Sequence, residues 1–301
     1  MIKSLRKRFI FFNMLVISSI AVIIGLSTFL GSPNNDVAVY RHVVTIVLVV
    51  TMVYIGSLIL SKLAIRPIQA SWQKQLDFTA DASHELRTPI TVIQTNLDLV
   101  MDSPDETVES QMKWLKNIKA ENMRMAKLVE DLLTLSRADT DQPMLEKEIF
   151  MLDEVISKTL TPFEPIAKEK NIKLSIVVNN QIAFYGDRKR IKQLVVILLD
   201  NALNYTDSGT VTVDLARSEK EITITVSDTG HGIEAEHLNK VFDRFYRVSK
   251  TKTLNQDGAG LGLSIAKWIV REHGGQIQAA STIGLGTSFV VHLPISSTQL
   301  K

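Results

Sequence analysis

Two uncharged apolar runs dominate the N-terminal end of the chain. Residues 9–30 read FIFFNMLVISSIAVIIGLSTFL, and residues 43–60 read VVTIVLVVTMVYIGSLIL. As helices rising about 1.5 Å per residue, both are long enough to cross ~30 Å of hydrocarbon. A secretory signal peptide also starts with a basic stretch like MIKSLRKR. Its apolar segment, however, is typically about 7–15 residues, and no small-x-small cleavage site precedes the turn at Gly31-Ser32-Pro33. Both runs are therefore read as transmembrane helices. Lys3, Arg6, Lys7 and Arg8 precede the first, and Lys62 and Arg66 follow the second. The positive-inside rule then predicts a multi-pass cell-membrane protein. Residues 1–8 and everything after residue 61 face the cytoplasm, and a short loop, 31–42, lies outside.

After the second run the hydrophobic period becomes helical and amphipathic. Arg66-Pro67 reads as the start of a new helix, with 62–76 as a linker helix. Leu76, Ala80, Ser83, Leu86, Ile90, Ile93, Leu97 and Val100 recur at spacings of three and four, predicting one long helix over 68–101. Ser103-Pro104-Asp105-Glu106 has the form of a helix start with a capping box. A second helix reaches about residue 138, with Trp114, Leu115, Ile118, Met125, Leu128, Leu132 and Leu135 on one stripe. A lone hairpin cannot hide two such stripes. Pairing two hairpins into a four-helix bundle does, so 77–140 is expected to form a homodimer.

Asp139-Thr140-Asp141-Gln142-Pro143 reads as a linker. Beyond it, strand-like runs (173–178, 210–215, 222–227, 287–292) alternate with helix-like runs (152–170, 188–204, 261–272), predicting an α/β layered domain over 145–297. The net charge of +2 excludes a dedicated nucleic-acid binder. With no cysteine there is no disulfide framework, thiolate metal site or thiol nucleophile. Neither a P-loop nor a G-x-G-x-x-G after a strand is present, so any nucleotide site is built another way.

The candidate chemistry begins in residues 78–90, FTADASHELRTPI. A lone helical histidine is usually a packed or surface residue. Zinc ligation of the H-E-x-x-H kind fails, because Thr88 stands where the second histidine belongs. Pro89 cannot donate to the carbonyl of Glu85, which loosens the helix one turn after His84. Glu85 is placed to orient or deprotonate an imidazole. This set resembles the phosphoacceptor box of the sensor histidine kinases of two-component systems. The resemblance implies that His84 attacks the γ-phosphate of ATP with Glu85 as base. It also implies that Thr88 positions water for dephosphorylating a response regulator.

Further motifs follow in the family's order, and together the resemblance covers residues 78–292. The run LVVILLDNALNYT, beginning at Leu194, ends an apolar helix face in Asp200, Asn201, Asn204 and Tyr205. An amide oxygen suits Mg²⁺, and the run resembles the asparagine box, making Asn201 the Mg²⁺ ligand. Asp228-Thr229-Gly230-His231-Gly232 sits at a strand end, where a carboxylate can accept the adenine amino group and glycines let the chain pass close beneath the ring. By resemblance Asp228 selects adenine. Gly258-Ala259-Gly260-Leu261-Gly262-Leu263 opens a helix whose amides can meet phosphate. Between these glycine motifs lies VFDRFYRVSKTKTLNQD, which resembles the phenylalanine box and ATP lid. Phe242 and Phe245 would anchor the lid, and Arg247, with Lys250 as a further candidate, would meet phosphates. Gly284-Leu285-Gly286-Thr287 resembles the last glycine box. The implied catalytic fold is an α/β sandwich of the Bergerat type, with ATP and Mg²⁺ as cofactors and a response regulator as partner.

The chain departs from the family at three places. Ile197 stands where a further Asn is common, and Asn204 replaces a Lys. These exchanges remove one possible metal ligand and one cation near the phosphates. They also keep a second reading open, a kinase-poor protein acting mainly as a response-regulator phosphatase. A third reading is a chaperone-like Bergerat ATPase module of the topoisomerase kind, which needs neither hairpin nor phosphoacceptor box. Finally, 62–75 is too short for the HAMP relay common in the family. The loop 31–42 is too short to bury a core, so sensing is expected to act through membrane lipid or a membrane partner protein. A rotation or piston shift of the second span should then reach His84 with little buffering. Inserting one, two or three residues near Ala70 should make autophosphorylation vary with helical phase; a flat series would refute direct coupling.

Overall fold

The computed structural model describes residues 15, 18–22, 25–26, 36–138, 145–178, 181–248 and 258–295. They divide into two compact units, Met1–Asp81 and Ala82–Lys301.

In the first unit, helix α1 (Asp36–Met101, continuing into the second unit) begins inside the stretch expected as a loop and runs through Pro67 without a break. A helix-interior proline removes a single backbone bond, which a long helix tolerates. Gly25 meets this helix at Ile46: a Cβ on Gly25 would lie 2.7 Å from Ile46 Cδ1. Large apolar side chains here face outward, Leu48 by 64% and Met52 by 78%. Thr51 returns its hydroxyl to the carbonyl of Val47 at 2.8 Å. Among the described residues no helix is long and apolar enough to cross a membrane. The expected span 9–30 lies mostly outside them, as do the side chains of 57–60 in the second.

The second unit begins with a helical hairpin, the end of α1 and α2 (Val108–Ala138). The expected helix start at 103–106 is instead a turn, closed by the Glu106 amide on the Ser103 carbonyl at 3.2 Å. The cap is Thr107, whose Oγ1 accepts from the Ser110 amide at 3.3 Å. Gln111 then staples the turn, its Nε2 donating to the carbonyls of Ser103 (2.7 Å) and Val100 (3.2 Å). Leu128 and Leu135 of the stripe are buried, whereas Ile90, Leu97 and Met112 remain open in the single chain.

The α/β layer follows. Its five-stranded sheet has the order β2 (Ile172–Val178), β4 (Gly209–Arg217), β5 (Glu221–Asp228), β7 (Gly286–Pro294), β6 (Gln276–Thr282). Only β2 and β4 pair in parallel. A two-stranded ladder joins β1 (Glu148–Met151) to β3 (Ala183–Gly186). Helices α3 (Leu152–Leu160), α5 (Arg188–Asn204) and α6 (Gly262–Glu272) pack together, and α5 and α6 contact the sheet. The helix expected over 152–170 breaks into α3, a 3₁₀ turn (Thr161–Phe163) and α4 (Glu164–Glu169), because Pro162 and Pro165 withhold two amides. The core lies between the layers, with Leu198 and Leu199 of α5, Ile265 and Ile269 of α6, and the inward rows of β4 and β5.

One buried polar knot ties α5 to α6. His273, just past α6, accepts the Asp187 amide on Nε2 at 3.0 Å, so Nδ1 carries the proton and donates to the Ile269 carbonyl at 2.8 Å. Asp187 caps α5 through the Arg190 amide (3.0 Å) and holds the Glu146 amide at 3.1 Å. Burial, the largest effect, pushes the His273 imidazole below its ordinary 6.5. A histidine held neutral in the folded state lends full stability above that ordinary value. The stability falls with pH as the unfolded chain protonates first. His273→Phe keeps the shape but leaves the Asp187 amide unanswered. It should cost about 1–3 kcal/mol in thermal or denaturant unfolding near neutral pH, and it should flatten the loss of stability below pH 6.5.

Candidate nucleotide and phosphoacceptor site

The site grows from the end of β5. This strand alternates strictly, and Ile222, Ile224, Val226 and Asp228 form its buried row. A carboxylate therefore ends an apolar row. Its Oδ1 accepts two amides, Gly230 at 2.9 Å and Thr287 at 3.2 Å, leaving Oδ2 to answer a ligand. Thr287 is opposite because β5 and β7 register Asp228 against Thr287. Burial raises the Asp228 carboxyl above the usual range, with the two amides and then His231 opposing. The turn beyond is tight, and a Cβ on Gly230 would strike the Tyr205 carbonyl.

The end of α5 forms the next wall. Asn201 donates one Nδ2 hydrogen to the Ile197 carbonyl at 2.8 Å, which orients the amide and leaves Oδ1 as a possible ligand atom. Tyr205 closes the helix, its amide on the Asn201 carbonyl at 3.1 Å and its own carbonyl accepting from His231 at 3.1 Å. Ile197, the departure noted in the sequence, packs toward the start of α6: a Cβ on Gly262 would lie 3.3 Å from its Cγ2.

The glycine turn before α6 is pinned to the other end of the lid segment. The Phe245 amide donates to the Gly260 carbonyl at 3.0 Å. Both residues are left-handed, with φ of +59° and +71°. Phe242 is buried edge-on against Phe289, 6.2 Å between ring centroids. Lys250 lies outside the described residues.

These walls enclose a cavity of about 430 Å³. It brings together Glu85, Asn201, Asn204, Tyr205, Asp228, Gly232, Arg247, Gly258, Gly260, Leu261, Gly262 and Thr287. His84, Thr88, Gly230, Phe242 and Phe245 are not in its lining. His84 and Thr88 are exposed on α1 beside Glu85 and Pro89, which do line it. Sequence reasoning missed the wall supplied by α2: Arg124, Met125, Lys127, Leu128 and Asp131. Lys127 Nζ lies 3.5 Å from Asp200 Oδ2. Burial, more than Glu130, pushes the Asp131 carboxyl up to about 6 against the pull of Lys127. The spacing of 124, 127 and 131 marks one helix face, but a polar helix face ordinarily reads as solvated. His231, Gln193 and Phe289 were missed as well.

A helical hairpin followed by a layered α/β domain, sharing one cavity, defines a class of signalling kinase. The family model for the His Kinase A (phospho-acceptor) domain matches residues 74–141. The model for the histidine kinase-, DNA gyrase B-, and HSP90-like ATPases matches residues 186–297. The chain belongs to the sensor histidine kinases. The sensor protein SrrB of Staphylococcus aureus is 35% identical over 227 residues, 74% of this chain and 38% of that protein. The chain thus spans little more than a third of the length of that relative. Among solved structures, the histidine kinase AdeS of Acinetobacter baumannii is similar at 27% identity and a TM-score of 0.59, over 71% of this chain and 98% of that one. The histidine kinase ThkA, solved with the response regulator TrrA, is similar at 26% identity and a TM-score of 0.61, over 76% of this chain and 64% of that one.

The lid anchor can be tested directly. In Gly260→Ala the new Cβ would sit 2.9 Å from the Phe245 carbonyl carbon at a φ of +71°. The variant should lose about 1–3 kcal/mol and show a smaller nucleotide-induced rise in melting temperature than the parent. An undiminished rise would refute the anchor.

Proposed function

We propose that this chain is a membrane-bound sensor kinase. It transfers the γ-phosphoryl group of ATP to His84 and then to an aspartate of a response regulator. One observation carries the reading. The cavity walled by Asp228, Asn201 and the glycine turns is also walled by Glu85 and Pro89, two residues of the phosphoacceptor box itself. A nucleotide there has its phosphates within the reach of the helix that bears His84.

The adenine amino group donates to Asp228 Oδ2, and the amides at the start of α6, which have no partner within the helix, receive phosphate oxygens. Asn201 fits Mg²⁺ because the bond from Nδ2 to the Ile197 carbonyl fixes its amide and leaves Oδ1 as an oxygen donor. When bound, Mg²⁺ would offset phosphate charge. His84 attacks phosphorus, the bond to the ADP oxygen breaks, and Glu85 takes the imidazole proton. Thr88, one turn beyond His84, is placed to hold water for dephosphorylating the regulator. The complex of ThkA with TrrA supports a response regulator as partner.

Open apolar positions on the hairpin, such as Ile90 and Leu97, favour a homodimer that covers them. Membrane insertion, with the N-terminus and catalytic region cytoplasmic, accounts for the outward Leu48 and Met52 and for the hydroxyl of Thr51 bonded within its own helix. The Gly25 contact with Ile46 is the close approach expected between two spans.

Incubating the full chain with γ-labelled ATP and Mg²⁺ should give an acid-labile, base-stable label that is lost in His84→Ala and passes to an added regulator. Ile197 and Asn204 favour the phosphatase reading instead. No label in the parent, with Thr88-dependent loss of phosphate from the regulator, would establish that one. Asp228 adds a pH test. Its carboxylate must be ionised to accept, and its pKa is raised. Nucleotide binding should therefore fade on acidification before the ordinary carboxylate range is reached. Asp228→Asn should weaken binding roughly tenfold to a hundredfold.

A further inference from the structure

We propose that Lys127 of α2 is a polyphosphate-binding residue of the nucleotide site, leaving Asp200 for the β- and γ-phosphates when ATP enters. The inference rests on the ATP reading above and assigns the phosphate end of the site a cation from outside the ATPase domain.

The cavity is lined by Asp228 and Thr287, which take the base in the ATP reading, and by the Gly258–Gly262 turn, which takes the phosphates and whose Gly262 comes close to Ile197 of α5, one turn before Asn201. Among the described lining residues the permanent cations are Arg124, Lys127 and Arg247, and the first two belong to α2. The lining position at the end of α5 is Asn204, which carries no charge. Lys127 Nζ stands 3.5 Å from Asp200 Oδ2, and Asp200 is the neighbour of Asn201 and one helical turn before Asn204. The ammonium is therefore already at the phosphate end.

Its present partner holds it weakly. The Lys127 side chain is 70% exposed and that of Asp200 40%. An ion pair so open contributes little. A triphosphate presents several negative charges to the same ammonium, and the flexible four-carbon stem lets Nζ shift a few ångströms to meet them. The exchange breaks one exposed pair and forms a charge-assisted contact inside a cavity. It makes the phosphoacceptor hairpin part of the nucleotide site, so ATP draws that hairpin against the ATPase layer.

The test measures binding of ATP, ADP and adenosine, with Mg²⁺, to the detergent-solubilised full chain. Lys127→Ala should weaken ATP roughly tenfold, ADP less, and adenosine not at all. Lys127→Arg should restore most of the ATP affinity. Asp200→Asn, which frees the ammonium, should tighten ATP. If Lys127 only holds the two layers together, Lys127→Ala and Asp200→Asn will weaken all three ligands alike, and the proposal fails. It also fails if Lys127→Ala binds ATP like the parent. A parent chain that binds adenosine and ATP not at all would overturn the ATP reading itself, and the Lys127 assignment with it.

Discussion

A carboxylate at the end of a buried strand row is costly unless its oxygens are answered, and Asp228 is answered by half. Two amides converge on one oxygen, and the other is left for a ligand. Holding that state requires the β5–β7 register that brings Thr287 opposite. It also requires a glycine at 230, where any side chain would meet the Tyr205 carbonyl. Tyr205 in turn closes α5, the helix that carries Asn201. The Asp228 corner, the Asn201 wall and the sheet register are thus one constraint seen from three sides.

The frame around it is closed by buried polar bonds at one end and by packing and an exposed ion pair at the other. The Asp187–His273 knot fixes the start of α5 against the end of α6, far along both helices from the site. At the opposite ends of those helices Gly262 comes close to Ile197, and on the cavity side α5 meets α2 through the exposed Lys127–Asp200 pair. Ile197 also gives the sequence departure a physical sense. In place of an amide it sets an apolar surface beside Gly262, so the wall of the cavity is made by packing there and by polar groups on either side. Asn201 keeps its orientation regardless, because it bonds to the backbone of residue 197 and not to its side chain.

Much of this was legible in the residues. The strict alternation of β5 points Asp228 inward, and the period of α1 and α2 makes a hairpin. The breaks at Pro162 and Pro165 are written in the chain as well, though the apolar pattern there reads as one helix. β1, β3 and β6 were not legible. β1 and β3 are four residues each, and β6 is an edge strand whose side chains, apart from Ile277, are small or polar, with none fully buried. β1 and β3 pair with each other across intervening helices and a strand, and β6, though beside β7 in a hairpin, has too few apolar side chains for a period to mark it.

The sequence by itself supplied the motifs, their order and their resemblance to the sensor histidine kinases, and that resemblance implied the roles of His84, Asp228 and the glycines. Motifs of this kind are residue types at short spacing, which are local properties. Only the tertiary structure decided that α2 supplies a wall of the cavity, that Lys127 faces Asp200, and that Phe242 and Phe245 lie outside the lining. A polar helix face looks the same in sequence whether it meets water or a second domain. The difference lies in packing between segments far apart in the chain, and no pattern within either segment encodes it alone.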